Sequence, residues 1–273
     1  MDYPRVRRKK RFAYTEDQMA VAFERVLKSR QGLAGLGPFW RVFREVDCHR
    51  GRPDFVAIEG KQKFRVEANS LGFVAATVLA LLRPSAHRSL NYLVTKSGFS
   101  RPSVRLAIRD LKRLGHIRQS DKGESYTLDP RRNLFDVEVW AFELKLDKPK
   151  RAIFQAQQYR LFAQKVLIVV PPTQVASYTK HHGTMERWGI GLASFDPDTK
   201  QFSVEIAARW GEPVSKQQQI FALGRLLDRK AARLNSESRV LRIANRPTVR
   251  TGRFVEAGKP MAAARTKRTS SQR

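Results

Sequence analysis

The stretch WAFELKL, residues 140–146, places two charged side chains within a run of apolar ones. Successive side chains of a β-strand point to opposite faces, so Glu143 and Lys145 share one face of the predicted strand. The opposite face carries Phe142, Leu144 and Leu146. A charge inside an apolar strand is costly unless it has a partner or a chemical role. The stretch therefore predicts a buried strand of a central sheet that carries a charged site.

The acid-x-lysine pattern of this stretch is common and carries little information by itself. It occurs five times, beginning at Glu59, Asp110, Glu143, Asp198 and Asp228. Only the copy at Glu143 lies inside an apolar strand, whereas the copy at Glu59 is predicted in a turn and the copy at Asp110 on a helix. We therefore select Glu143 and Lys145 as the candidate site.

The chain is strongly basic. Lys and Arg outnumber Asp and Glu by 53 to 25 over 273 residues, which gives a formal net charge of +28. Apolar residues make up 41%, so most of the chain is expected to fold around hydrophobic cores. Such an excess of positive charge favours a polyanionic partner, and nucleic acid is the first candidate. A ribosome-like or merely basic surface protein is the alternative.

Several classes of protein are disfavoured by the sequence. Cys48 is the single cysteine, which excludes an intramolecular disulfide and a cysteine-rich zinc site. No apolar segment follows the basic residues 5–11 as a signal peptide would require, and nothing approaches 18 consecutive apolar residues. We expect a cytoplasmic protein without membrane contact.

Changes in pattern divide the chain into five segments. Residues 1–13 form a basic arm, 14–69 the first part of an α/β core, 70–129 an insertion, 130–234 the second part of the core, and 235–273 a basic tail expected to be disordered. The insertion shows three helices followed by a hairpin, which is the outline of a winged helix-turn-helix. Its predicted core consists of Val74, Leu81, Val104, Ile108 and Leu111.

The third helix of the insertion is predicted to contact DNA. A major groove admits such a helix, and side chains near its N-terminus reach base edges. We select Arg101, Ser103 and Arg105 for base contacts. For phosphate contacts we select Arg109 and Arg113 of the same helix. Lys112 also lies on this helix, and Arg118 and Lys122 lie on the wing. The alternative is a protein-docking module whose basic face is solvated.

Three short motifs follow one another in a meaningful order. Pro53-Asp54 opens one predicted strand, Glu143-x-Lys145 lies on a later one, and the next helix contains Gln155 and Tyr159 in a Q-x-x-x-Y arrangement. An apolar strand, residues 166–170, comes next. In residues 15–60 and 135–207 the chain therefore resembles the PD-(D/E)XK nuclease superfamily, in particular its RecB-like subgroup.

The resemblance implies a restriction-endonuclease-like fold, with a mixed central sheet flanked by helices. It implies Mg²⁺ as cofactor, with Mn²⁺ as a second candidate, held by Asp54, Glu143 and the carbonyl of Leu144. Lys145 would serve the attacking water, and Gln155 and Tyr159 would support the site or contact the substrate. Family members often add a glutamate from the first helix, for which we select Glu24, with Glu16 as the competitor.

The long separation of Asp54 and Glu143 departs from the compact family core, and the inserted domain accounts for it. A competing alignment uses residues 67–69, Glu-Ala-Asn, but places asparagine where the family has lysine. A third interpretation makes Glu143 and Lys145 an ordinary ion pair, with Asp54 in a turn and Tyr159 in the core.

The predicted function is Mg²⁺-dependent hydrolysis of double-stranded DNA, with endonuclease action as the first choice. One active site cuts one strand, so cutting both strands requires a homodimer, a larger nucleoprotein assembly or sequential nicking. Two rivals remain: a DNA-binding regulator or recruitment factor on a silent nuclease scaffold, and an interaction subunit that cuts only within a larger assembly.

Overall fold

The computed structural model describes residues 12–29, 36, 39–59, 71–121, 123–130 and 137–227. In chain order the strands are β1 Phe39–Arg44, β2 Phe55–Glu59, β3 Arg88–Ser89, β4 Ile117–Gln119, β5 Ser125–Leu128, β6 Glu138–Leu144, β7 Lys165–Val170, β8 Ile190–Phe195 and β9 Phe202–Ile206. The helices are α1 Glu16–Leu27, α2 Phe73–Leu81, α3 Leu90–Ser97, α4 Arg101–Arg113, α5 Pro149–Tyr159, α6 Val175–Thr179, α7 His182–Trp188 and α8 Lys216–Leu227, and a 3₁₀ turn covers Pro172–Gln174.

Six strands form one mixed sheet in the order β1-β2-β6-β7-β8-β9. The pairs β6/β7 and β7/β8 are parallel, and the other pairs are antiparallel. Helices cover both faces of the sheet. The structure thus confirms the predicted α/β class, a mixed central sheet flanked by helices.

The two faces of β6 pack against different helices. Trp140, Phe142 and Leu144 belong to the cluster that contains the apolar residues of α1. Val139 and Ala141 belong to the cluster that contains the apolar residues of α5. The alternation along β6 therefore places Glu143 on the α5 side of the sheet.

A helical unit, the described part of residues 71–128, lies between β2 and β6 in the chain. Helices α2, α3 and α4 pack together, and β3, β5 and β4 form a separate three-stranded antiparallel sheet. Of the core residues predicted for it, Val104, Ile108 and Leu111 are buried, whereas Val74 and Leu81 are partly buried against them. The six-stranded sheet does not pass through these residues.

Helix α8 belongs to both parts of the fold. Ile220 is fully buried in the core of the helical unit, and Phe221 packs against the same core. Ala222, Leu223 and Leu226 are buried in the cluster on the α5 face of the six-stranded sheet. The helix therefore holds the helical unit to the sheet, although the sequence assigned it to the second core segment alone.

Some predictions concern residues outside the described ranges. Residues 1–11 of the basic arm and the whole tail, 235–273, lie outside the described residues. Among the described residues, no helix is both long and apolar enough to cross a membrane.

Candidate active site

Glu143 and Lys145 lie at the carboxyl end of β6. Glu143 is only 1% exposed, and Lys145 follows the strand by one residue. The Lys145 N–H donates to the carbonyl of Val169 at 3.0 Å, which extends the pairing of β6 with β7. Both side chains are thereby attached to rigid backbone at one edge of the sheet.

Both carboxylate oxygens of Glu143 have partners. The Lys145 Nζ lies 2.9 Å from Oε1, and the Tyr159 hydroxyl donates to Oε2 at 2.6 Å. Tyr159 is the last residue of α5 and is buried. The placement of Glu143 on the α5 side of the sheet explains why the helix can supply this contact.

Asp54 reaches the same edge from the antiparallel neighbour. The residue directly precedes β2, whose Phe55 pairs with Phe142 of β6. Its Oδ2 accepts a hydrogen bond from the N–H of Leu144 at 2.7 Å. Asp54 and Glu143 therefore converge although they are far apart in the sequence, because antiparallel pairing brings the start of β2 beside the end of β6.

The pKa of Asp54 is raised to about 7. Burial is the largest cause, the Glu143 carboxylate acts in the same direction, and Glu16 adds to it. Lys145 and the Leu144 N–H oppose the shift. Asp54 is consequently poised between its protonated and ionised forms near neutral pH.

The neighbouring groups keep definite protonation states. Burial lowers the pKa of Lys145, but the Glu143 and Asp54 carboxylates outweigh this effect and leave the pKa raised. The pKa of Tyr159 is raised by burial first and by Glu143 second. Near neutral pH the lysine is therefore an ammonium, and the tyrosine is a neutral phenol that donates its proton.

Helix α1 brings Glu16 to the site. Thr15 caps the helix with a capping box, so Glu16 occupies its first turn. One oxygen of Glu16 lies 3.7 Å from the Lys145 Nζ, and the other accepts from the N–H of Leu146 at 3.4 Å. The ion pairs of Lys145 are with Glu143 and Glu16, whereas Glu24 pairs with Lys28 at 2.7 Å and Arg44 at 3.6 Å. The acid that α1 places beside the lysine is Glu16 and not Glu24.

Gln155 lies one turn before Tyr159 on the same face of α5. Its Oε1 atom is buried, and none of the described residues donates a hydrogen bond to it. A buried carbonyl without a donor is unfavourable in the free protein. The atom is thus able to accept a hydrogen bond from water or from a bound molecule.

Two further residues at the site were not selected from the sequence. Tyr178 of α6 is fully buried, and its hydroxyl donates to the carbonyl of Asp147 at 3.0 Å. Burial raises its pKa, and Asp147, Glu16 and Glu143 also raise it, which places Tyr178 in the same electrostatic surroundings. Gly51, on the β1–β2 connection, packs against the ring of Tyr159. Neither residue belongs to a local motif, so only the tertiary contacts reveal them.

The predicted DNA-binding side chains of the helical unit lie on α4 and its hairpin, except Lys122, which lies outside the described residues. Arg109 is exposed and, within the described part of the chain, has no hydrogen-bond or ion-pair partner. The other side chains have local partners: Arg101 with Asn91, Ser103 with Ser100, Arg105 with Glu124, Lys112 with Gln119, Arg113 with Asp110 and Arg118 with Asp129.

Arg118 differs from the other basic residues of this group. Its guanidinium donates to both oxygens of Asp129, at 3.0 and 3.1 Å. The Asp129 side chain is only 7% exposed, whereas the partners of Arg105 and Arg113 are solvent-accessible. Arg118 of β4 therefore bonds to the residue that directly follows β5, and its guanidinium is engaged within the hairpin.

Comparison with known proteins gives no match, either to a protein-family model or to a curated sequence.

Proposed function

We propose that the protein is a metal-dependent nuclease that hydrolyses DNA phosphodiester bonds at the Asp54–Glu143–Lys145 site. The observation that carries the proposal is the convergence of these three side chains at one edge of the sheet. Asp54 accepts a hydrogen bond from the Leu144 N–H, and Glu143 forms an ion pair with Lys145. Two carboxylates and an amine on the ends of paired strands are the arrangement that the resemblance to the PD-(D/E)XK superfamily implies.

The chemistry of the donor set fits a divalent cation. Asp54, Glu143 and Glu16 all interact with a single ammonium, Lys145, so the ionised site carries excess negative charge. The described residues contain no group of three or more His, Cys, Asp or Glu side chains arranged to hold a metal. Mg²⁺ does not require one, because it commonly takes one or two carboxylates and completes its shell with water and phosphate oxygens.

Asp54, Glu143 and the carbonyl of Leu144 would hold Mg²⁺, or Mn²⁺ in its place. The cation would supply charge neutralisation at the phosphate and a more acidic bound water. The Leu144 carbonyl also accepts a hydrogen bond from the Lys145 Nζ at 3.0 Å, so the lysine amine lies directly beside the carbonyl that would bind the cation.

The remaining residues of the chain have separate roles in this proposal. Lys145 orients the attacking water and stabilises negative charge that develops on the phosphate. Tyr159 fixes the Glu143 carboxylate through its 2.6 Å hydrogen bond. The carbonyl of Gln155, which is buried without a donor among the described residues, accepts a hydrogen bond from water or substrate.

The helical unit would act as a winged helix that places the nuclease on duplex DNA. Helix α4 would enter the major groove, with Arg101, Ser103 and Arg105 at its N-terminal end near the bases. Arg109 and Arg113 follow on exposed positions of the same helix and would contact phosphates. The net charge of +28 supports a duplex partner, since phosphates neutralise such a surface.

A second candidate function is DNA binding on a silent nuclease scaffold. The observation that favours it is the engagement of both Glu143 oxygens, by Lys145 and by Tyr159. On this account the charged groups are a buried network that stabilises the sheet edge, and the protein recruits other factors to DNA.

Cleavage assays distinguish the two functions. Supercoiled and linear DNA are incubated with the full chain in Mg²⁺, in Mn²⁺ and in a chelator, and duplex affinity is measured in parallel. The nuclease proposal predicts cutting in either metal and none in the chelator. Binding without cutting in any metal would support the silent scaffold.

A further inference from the structure

The β1–β2 connection leads from the sheet to the helical unit and back. Within it, residues 47–52 form a turn, which we call the 47–52 turn. Cys48 anchors the turn: its side chain is fully buried and its N–H donates to the carbonyl of Gly51 at 3.0 Å. Two residues beyond the turn the chain reaches Asp54 of the candidate active site.

On one side the 47–52 turn touches Tyr159. A Cβ atom at Gly51 would lie 2.6 Å from Cε1 and 3.0 Å from Cδ1 of the tyrosine ring, so a side chain there would displace the ring. The same ring carries the hydroxyl that donates to Glu143 at 2.6 Å. Gly51 therefore limits where the Tyr159 ring, and with it the hydroxyl that bonds to Glu143, can lie.

On the other side the turn touches the helical unit. The His49 ring lies 4.7 Å from the ring of Phe73, which begins α2, and 5.5 Å from the ring of Phe221 on α8. Phe73 in turn contacts Phe99, which comes just before α4, at 6.3 Å between centroids. The His49 backbone adopts a φ of 72°, and its N–H donates to Asp47 at 2.8 Å. These features fix the His49 backbone, and the ring of this exposed residue contacts the partly buried rings of Phe73 and Phe221.

We infer that the 47–52 turn is a positioning element that couples the seating of the helical unit to the Tyr159–Glu143 hydrogen bond. The coupling deepens the proposed function and rests on it, because duplex binding by the helical unit is the event transmitted. A shift of α2 moves the His49 ring, and the two-residue link passes the shift to Gly51 and the Tyr159 ring. The path consists of the ring contacts of His49 with Phe73 and Phe221, the buried Cys48 that anchors the turn, and the close approach of Gly51 to the Tyr159 ring.

The experiment follows Tyr159 directly by NMR of the full chain labelled with ¹³C at the tyrosine ε positions. The chain has six tyrosines, and the resonance lost in Tyr159→Phe identifies the one required. Gly51→Ala is expected to shift this resonance. In cleavage assays Gly51→Ala alone should lower the cleavage rate. Added to Tyr159→Phe it should lower the rate little further, since both substitutions remove the same hydrogen bond. Fully additive losses would contradict a role of Gly51 through Tyr159.

The second arm tests the coupling with metal-free duplex. Duplex is expected to shift the Tyr159 resonance in the wild type, in His49→Phe, which keeps an aromatic ring, and in His87→Ala, a control on an exposed histidine of the helical unit. At saturating duplex His49→Ala should lose the shift, and its duplex affinity should change by no more than the coupling free energy. An equal response of Tyr159 in His49→Ala, or no response in the wild type, overturns the inference. This arm stands even where Gly51→Ala fails to fold.

The cleavage rate separates this inference from the proposed function. At saturating duplex, His49→Ala is expected to lower the single-turnover rate about tenfold or more, as a misplaced catalytic group does. If the wild type cuts in no metal while its Tyr159 response to duplex is lost in His49→Ala, the nuclease proposal fails and the coupling stands. If cutting is normal in His49→Ala and Tyr159 does not respond, the coupling fails and the nuclease proposal stands.

Discussion

Glu143 and Lys145 illustrate what a strand pattern can predict at the scale of single residues. Period-2 alternation places both on one face, and the structure brings their charged groups to 2.9 Å. The pattern does not reveal which helix covers that face. The contact with Tyr159 arises because α5 packs on the face of β6 that carries Glu143. The Q-x-x-x-Y spacing indicates this contact only through the family resemblance.

The choice between Glu16 and Glu24 on α1 shows what residue-scale prediction leaves open. Glu16 and Glu24 are both acidic residues on an amphipathic helix, and no local feature separates them. Their difference arises from the way α1 crosses the sheet, which places the first turn beside Leu146 and Lys145. A crossing angle depends on the packing of both surfaces and cannot be read from the helix sequence alone.

Asp54 predicts a pH dependence of stability. Its pKa is about 7 in the folded protein, against 3.8 for an ordinary aspartate. Between these values the unfolded chain ionises while the folded chain keeps its proton, so stability falls as pH rises and the loss is complete above pH 7. In a chelator, wild type should lose about 2–4 kcal/mol of unfolding free energy relative to Asp54→Asn between pH 4 and pH 8. Urea unfolding at several pH values measures the difference.

Asp198→Asn, at an exposed turn, is the control and should follow the wild-type curve. Added Mg²⁺ or Mn²⁺ at pH 8 should restore stability to the wild type and not to Asp54→Asn. Parallel curves for wild type and Asp54→Asn would show that the pKa of Asp54 is not raised in the folded protein.

At the scale of elements, long periodic segments were predicted best. The apolar residues Val104, Ile108 and Leu111 belong to the third helix predicted for the insertion, which is α4 in the structure, and Ser100 caps its N-terminus. Residues 172–188, by contrast, form a 3₁₀ turn and two short helices, α6 and α7. Helices of one or two turns are too short for a periodicity to emerge, and their ends are set by packing on the sheet.

The hairpin of the helical unit depends on Arg118. Because Asp129 is nearly buried and accepts two hydrogen bonds from this arginine, Arg118→Ala should lower the unfolding free energy by about 1–3 kcal/mol. Arg105→Ala is the matched control, since the Arg105–Glu124 pair is exposed on both sides and such pairs contribute little. Thermal and urea unfolding of both variants measure the difference. Equal stabilities would show that the Arg118–Asp129 pair contributes little to the fold.

At the scale of the whole molecule, α8 joins the helical unit to the sheet. Its Ile220 lies in one core and its Leu223 and Leu226 in the other. The sequence indicated an insertion with its own core, but it did not indicate that a helix much later in the chain completes that core. Such a contact joins residues more than a hundred positions apart, as the hydrogen bond of Gln217 to Thr77 also does. Local sequence patterns do not indicate such long-range contacts.

The separation of binding and chemistry predicts a salt effect. Each lost phosphate contact lowers the slope of log affinity against log salt by about one unit. Arg109→Ala with Arg113→Ala should therefore weaken duplex binding at all sequences and flatten the slope by about two. Arg187→Ala, an exposed arginine on α7, is the control and should change neither. An unchanged slope in the double variant would favour protein docking as the role of the helical unit.

The most direct test of the proposed site is single-turnover cleavage of duplex DNA by Lys145→Ala, with Lys165→Ala as control. Lys165 also pairs with a glutamate, Glu138, at 2.8 Å, but at the opposite end of β6. Wild type and Lys165→Ala should cut at similar rates in Mg²⁺, whereas Lys145→Ala should cut about 10²–10⁴-fold more slowly with unchanged duplex affinity. Cutting by Lys145→Ala at the wild-type rate would contradict the assignment of the active site to Asp54, Glu143 and Lys145.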